Sequence, residues 1–415
     1  MFELGGHLVY NVFVYDTLFW QKSGIGGNYF FMECYLDNGA TTAVSPSAVA
    51  AGKHAMEEVW GNPSSLHRRG IDAFLLLQQC RETVAGVLGC DREEVTFTSG
   101  ATESNNLALF GAARAKKRRG NRIVTTAFEH SSVIAAAGKL ETEGFEVVFV
   151  PPEPDGTLPA EKIAQAVDEN TILVSTMLVN NELGTVLDIP KIGRLIRRKN
   201  KEVLFHCDGV QAFCKIPFKV SRLGVDLMSV SAHKIHGPKG VGALYVKKGV
   251  RIQPLLYGGA QEKKLRPGTE GVPMIAAFAA AAQESAQKML PSQEKVAELN
   301  RVLRERLAAL DGVVLNSPAD ASPYILNLSV LGIRSEIMLH ALEEQGIYVS
   351  SGSACAKGEP SHVLSAMGME RSRADSALRI SFTYESTMEE VEMLVETLTS
   401  LIPRFRQGKK GTVHI

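Results

Sequence analysis

A chain of 415 residues with 45 Lys and Arg against 45 Asp and Glu has no net charge to draw it toward nucleic acid, membranes or acidic substrates. Its length predicts two domains, or one large domain with a smaller companion, and its 45% apolar content allows a substantial core. No run of about 18 apolar residues suggests a membrane span, and six cysteines without C-x-x-C spacing argue against a zinc ribbon, a redox pair or a disulfide framework.

In chain order, residues 1–33 read as an extension outside the core fold. Residues 8–20 are apolar but interrupted by Asn11 and Asp16. They lack a basic leader and a cleavage site, so no signal peptide is expected and Met32 stands as an alternative start. Reduced thiols and the missing leader point to the cytoplasm. Ala73, Leu76, Leu77, Cys80, Val84 and Leu88 recur at helical spacing, with Gly89 as the stop. Strands are predicted at 95–98, 122–126, 146–150, 171–178, 203–207, 226–230 and 243–246, most of them separated by helices. Basic clusters at 116–119 and 197–201 fall where helices should end. This alternation predicts an α/β domain over 34–290 built on a largely parallel sheet.

Beyond about residue 275 the pattern changes. Two helices are predicted, 275–289 and 292–310, followed by a strand at 324–330. A helix capped by Ser335 and stopped by Gly346 leads into a strand at 347–351. Leu378, Ile380 and Phe382 alternate with Arg379 and Ser381, as in a half-buried strand with Arg379 on the polar side. Thr387 and Glu390 form a capping box for the last helix. Residues 291–415 therefore read as a smaller α+β domain, and a cleft between the two is the expected place for chemistry.

Several residues suit that chemistry. Lys234 lies just past a strand, where desolvation would lower its pKa and make it a Schiff-base amine; a surface lysine in a loop is the alternative. Ser231 and His233 beside it suit a phosphate. Asp208 ends an earlier strand and offers the carboxylate that a pyridinium nitrogen needs, although a helix N-cap has the same signature. Gln211 follows it. The segment 99–103 is a strand-to-helix junction whose free N–H groups suit phosphate. His130 follows a strand, either to stack on a ring and move protons or to be satisfied locally. Asn180, Asn181 and Glu182 build a loop or face a ligand. Cys355 sits in a loop of small residues beside Lys357, which favours a thiolate, whereas Cys34, Cys80, Cys90, Cys207 and Cys214 read as small hydrophobes or bystanders. No metal-ligand pattern is present.

These pieces occur together in segments of high specificity. They are YLDNGATT at 35–42, GNPSSLH at 61–67, FTSGATESNN at 97–106, EH at 129–130, VNNELG at 179–184 and HCDGVQ at 206–211. SAHKIHGPKGVGALYV at 231–246, RPGTEGVP at 266–273 and SSGSAC at 350–355 complete the set. From about residue 35 to 402 the chain resembles the cysteine desulfurases of the nitrogen-fixation and iron–sulfur-assembly type, class V aminotransferases of PLP (pyridoxal 5'-phosphate) fold type I. The resemblance implies a mostly parallel seven-stranded sheet flanked by helices in the large domain, and a C-terminal domain carrying the thiol. It implies that Lys234 bonds the cofactor, Asp208 pairs with the pyridine nitrogen, Gln211 and Asn181 contact the ring oxygen, and His130 stacks on the ring. Ala101, Thr102, Ser231 and His233 would hold the phosphate. Thr269 of a second subunit would complete that site, which implies a homodimer. Arg379 would grip the carboxylate of L-cysteine.

The implied reaction moves the sulfur of L-cysteine onto Cys355 as a persulfide and releases L-alanine. The persulfide then passes to an acceptor protein, either an iron–sulfur cluster scaffold or a tRNA-thiolation enzyme. Two departures from the family pattern stand out: the segment between Cys355 and the EPS motif is about two residues shorter, and the chain ends soon after its last helix. Both tilt the expectation toward a dedicated acceptor such as a tRNA-thiolation enzyme. The rival readings are another class V enzyme, an aminotransferase or a selenocysteine lyase, and a non-catalytic sulfur-relay scaffold. SSGSAC argues against plain transamination, and the joint presence of Lys234, Asp208, His130 and Arg379 argues against lost catalysis.

Overall fold

The computed structural model describes residues 33–351 and 361–408. The expected extension, the segment holding Cys355 and the tail from 409 lie outside the described residues. Strands are β1 (Cys34–Tyr35), β2 (Val95–Thr98), β3 (Arg122–Thr126), β4 (Glu146–Val150), β5 (Thr171–Met177), β6 (Leu204–Asp208), β7 (Leu227–Ser231) and β8 (Gly242–Val246). They continue with β9 (Val313–Leu315), β10 (Ile325–Val330), β11 (Ile347–Tyr348), β12 (Ser350–Ser351) and β13 (Ala377–Ser381).

The large sheet has seven strands in the order β2-β8-β7-β6-β5-β3-β4. Its neighbours run parallel except where β8 pairs with β2 and with β7. Parallel strands need crossovers, and helices supply them, covering both faces. Hence every residue of β5, β6 and β7 is buried. A sheet of this kind presents the carboxyl ends of its parallel strands at one edge, where ligands of open α/β folds bind. The smaller sheet is antiparallel, in the order β12-β13-β10-β9, and β1 pairs separately with β11.

The helix Arg68–Leu88 buries Ala73, Leu77, Cys80, Val84 and Leu88 and ends at Gly89, whose φ of 77° forms the left-handed stop. Both basic clusters begin in the last turns of helices, Ala101–Lys116 and Ile189–Lys199. Thr387 and Glu390 exchange the two hydrogen bonds of a capping box, at 3.3 and 2.9 Å.

Three expectations need correction. The two helices predicted around residue 290 are one, Val272–Ala308, with Pro291 inside it. The proline removes the N–H that would bond the Gln287 carbonyl, but buried Ser285, Ser292, Val296 and Leu299 keep one face on the core. The expected domain boundary near 290 thus falls within a continuous helix. Second, Ser335 is not a cap: Arg334 holds that position without a side-chain bond, because the Ser335 N–H is taken by the carbonyl of Asp375 at 2.8 Å. Third, β13 is buried along its whole length rather than on one face. Its polar side turns into a cavity instead of bulk solvent, which leaves Arg379 only 8% exposed.

Candidate active site

At the carboxyl edge of the large sheet lies a cavity of about 830 Å³. The fold delivers its walls one element at a time. The helix Ala101–Lys116 begins after Gly100 with no side-chain cap, so its first N–H groups face the cavity beside Ala101, Thr102 and Glu103. His130 caps the helix Ser131–Thr142, with Nδ1 accepting from the Ser132 N–H at 3.1 Å. Asp208 ends β6 and Ser231 ends β7. The chain then makes one short 3-10 turn, Ala232–Lys234, which brings His233 and Lys234 to the cavity. Gln211, Asn181 and Arg379 line it as well.

Of the predicted site residues, Ala101, Thr102, His130, Asn181, Asp208, Gln211, Ser231, His233, Lys234 and Arg379 therefore share one space. Thr269 is exposed and does not line this cavity of its own chain. Ser350 and Ser351, which lead toward Cys355, and Ser361, which follows that segment, are in the wall.

Each group is held. Both carboxylate oxygens of Asp208 accept bonds, Oδ2 from Asn105 Nδ2 at 2.8 Å and Oδ1 from the Val210 N–H at 3.0 Å. Lys234 Nζ donates to the carbonyls of Gly39 and Ala40, both at 2.6 Å. Arg379 donates to Asp37 Oδ1 at 2.8 Å and to the Asn181 carbonyl at 3.0 Å, while its Nε has no partner. Asn180 builds the loop: its Oδ1 accepts from the N–H groups of Glu182 and Leu183, at 2.9 and 2.8 Å. That frees Asn181 and Glu182 to face the cavity.

The electrostatics suit proton transfer. Burial, reinforced by Arg379 and opposed by Asp37 and Asp208, lowers Lys234 to about 8. Its neutral, nucleophilic form is therefore far more accessible near neutral pH than that of an ordinary lysine. Burial lowers His130 below its usual value, with Asp208 opposing and Lys234 adding. Burial and then Lys234 push His233 down to about 4, so it is a neutral imidazole. Burial also raises Glu129, beside His130, to about 8 despite bonds from Thr126 and Met177.

The five described cysteines are held as protonated thiols. Burial pushes the thiols of Cys34 and Cys90 up to about 12 and that of Cys80 to about 11, and it raises those of Cys207 and Cys214 as well. None of these five is a ready thiolate.

Some contacts in or behind the wall had no counterpart in the sequence reading. Asn105 braces Asp208; its signal was the helical spacing from Ala101, which puts both on the cavity side of one helix. Glu182 accepts from Ser361, and His362 Nε2 lies 2.7 Å from the Glu129 carbonyl. Nothing local in the sequence ties 361–362 to 129 and 182. Lys215 lies behind Gln211 and is treated below.

The donor set fits PLP. An uncapped helix N-terminus suits a phosphate, a carboxylate ends a central strand, a lysine of lowered pKa lines the same cavity, and buried Asn181 Oδ1 and Arg379 Nε still lack partners. A search of family models matches residues 34–394 to aminotransferase class-V. The chain belongs to the class-V aminotransferase family. Among its relatives, "Cysteine desulfurase IscS" of Clostridium botulinum (strain Kyoto / Type A2) is 39% identical over 381 residues, 90% of this chain and 96% of the relative. A solved "NIFS-LIKE PROTEIN" superimposes with a TM-score of 0.85 at 39% identity, covering 90% of this chain and all of that one. A second structure, "SspA in complex with cysteine", gives 0.75 at 32% identity over 86% of this chain and all of that one. This class-V aminotransferase thus has its α/β fold and its nearly full-length alignment in common with cysteine desulfurases.

Proposed function

We propose that this protein is a PLP-dependent cysteine desulfurase that moves sulfur from L-cysteine to Cys355. One observation carries the reading: Lys234, Asp208, His130 and Arg379, from four separate parts of the chain, wall a single cavity. When bound, PLP supplies an aldehyde that condenses with amines and a ring that accepts charge from the substrate.

The chain's own residues do the rest. Lys234 anchors the cofactor, then carries the proton at the substrate's α-carbon. Asp208 holds the proton on the pyridine nitrogen. Gln211 and Asn181 meet the ring oxygen, and His130 covers the ring. Ala101, Thr102, Ser231 and His233 hold the phosphate, joined by Thr269 of a second subunit in a homodimer. Arg379 has an unpartnered Nε beside two occupied terminal nitrogens, and it binds the carboxylate of L-cysteine. That SspA is solved with cysteine supports this choice of substrate.

The thiolate of Cys355 attacks the substrate sulfur. The new S–S bond forms as the Cβ–S bond breaks, and the carbon skeleton leaves as L-alanine after protonation. The larger sheet with its helices, about 34–290, would be the cofactor-binding part, and 291–415 the part that carries the thiol. The persulfide then passes to an acceptor protein, a cluster scaffold or a tRNA-thiolation enzyme.

Spectra and product assays on purified Cys355→Ser test the reading. The variant should keep the yellow colour of bound PLP and lose sulfide release from L-cysteine. Sulfide release at the wild-type rate would refute Cys355 as the acceptor.

A further inference from the structure

Four residues past Gln211 the chain buries a lysine. Lys215 is 5% exposed and does not line the cavity. Cys214, at a φ of 56°, turns the backbone just before it, and the Lys215 N–H closes the turn on the Ala212 carbonyl at 3.0 Å. Among the described residues no carboxylate lies within ion-pair distance of its amine. Burial, with Lys234 and Arg379 adding, lowers its pKa to about 7. A buried amine without a counter-ion costs stability, so its partner among the described residues matters.

That partner is Gln211. Lys215 Nζ donates to Gln211 Oε1 at 3.0 Å, and Gln211 Nε2 donates to the Gly39 carbonyl at 2.9 Å. The same carbonyl accepts from Lys234 Nζ at 2.6 Å. These two contacts determine which way the amide faces. Turned over, it would set carbonyl against carbonyl at Gly39 and, whenever Lys215 is protonated, N–H against ammonium. With Oε1 occupied by Lys215, the amide's second N–H is the group left for the cavity that Gln211 lines. Toward a ligand, Gln211 is then a donor only, which suits an anionic oxygen.

We propose that Lys215 is a positioning residue that locks Gln211 as a hydrogen-bond donor to the anionic ring oxygen of the cofactor. The proposal rests on the PLP reading above. Its consequence is electrostatic: an anionic oxygen that loses a donor holds the neighbouring proton of the lysine-bound cofactor to higher pH. The charged and titratable groups around this pair are Lys234, Arg379, His233 and His236, with His130 and Asp208 across the cavity wall.

The test is a pH titration of the visible absorption band of the PLP-loaded protein. Lys215→Met should raise the midpoint by about 0.7 pH unit, the size of one ordinary hydrogen bond. Lys215→Gln keeps a donor without the charge and should restore most of the wild-type midpoint. Gln211→Met leaves Lys215 in place, so it serves if Lys215→Met is insoluble; its midpoint should rise at least as far. In the Gln211→Met background, adding Lys215→Met should move the midpoint no further. An unmoved midpoint in Lys215→Met or Gln211→Met, or an equal Lys215 shift without Gln211, would overturn the proposal. A wild-type protein that binds no PLP would instead overturn the reading beneath it.

Discussion

Where the seven-stranded sheet meets the cavity, Asp208, His130 and Lys234 are each braced within that layer or by the loop at 39–42. Asp208 has Asn105 and the Val210 N–H, and His130 has Ser132. Lys234 has the Gly39 and Ala40 carbonyls. Where the four-stranded sheet meets it, one guanidinium, Arg379, reaches out to Asp37 and the Asn181 carbonyl, with one nitrogen unused. The first arrangement is rigid and suits a cofactor that stays. The second keeps donor capacity in reserve and suits a substrate that comes and goes.

Four substitutions would break or sharpen this contrast. The largest effect is expected for Lys234→Ala, which should lower alanine formation from L-cysteine by about 10³-fold or more and bleach the protein. Next is Arg81→Met, on the braced side. Arg81 and Glu262 form a buried bidentate pair at 2.6 and 2.7 Å, and Glu262 also accepts from the Phe97 N–H of β2 at 3.0 Å. Leaving Glu262 unpaired should cost about 3–5 kcal/mol of stability, read by denaturant unfolding.

Arg379→Lys should lower kcat/KM for L-cysteine by about 10–100-fold, mostly through KM, because an ammonium cannot reproduce the planar fork. A pure kcat effect would count against carboxylate binding.

The smallest effect is expected for Glu129→Gln. Burial raises the Glu129 carboxyl from 4.5 to about 8. At low pH it is protonated in both folded and unfolded chains. Above about 4.5 the unfolded chain releases its proton while the folded one keeps it, so wild-type stability falls as pH rises toward about 8. The variant escapes this, and its Tm advantage should widen by a few degrees (~2–4 °C) between about pH 5 and about pH 8.

Much of this was legible in the sequence, for physical reasons. Apolar runs bounded by glycine, polar turns and helical spacing mark β2 to β8 to within a residue or so, because a parallel sheet buried on both faces leaves little freedom of composition. Asp208, at a strand end, and His130 and Lys234, a few residues past strand ends, stand out as polar groups after buried strands. Other features depend on contacts distant in the chain. The persistence of one helix through Pro291 goes with a buried face that runs from Ser285 through Ser292 and Val296 to Leu299, which local propensity does not encode. The burial of Arg379 required knowing that β13 faces a cavity. Lys215 looked like any lysine in a turn until Gln211 and Gly39 were placed around it.

The most direct test of the sulfur-transfer account is to incubate the PLP-loaded protein with L-cysteine, without an acceptor, and measure alanine and protein-bound persulfide together, mapping the persulfide by peptide mass spectrometry. The account expects about one alanine per persulfide in the first turnover, with the extra sulfur on the peptide containing Cys355. Alanine without bound sulfur, or sulfur on the Cys34, Cys80, Cys90, Cys207 or Cys214 peptides, would contradict it.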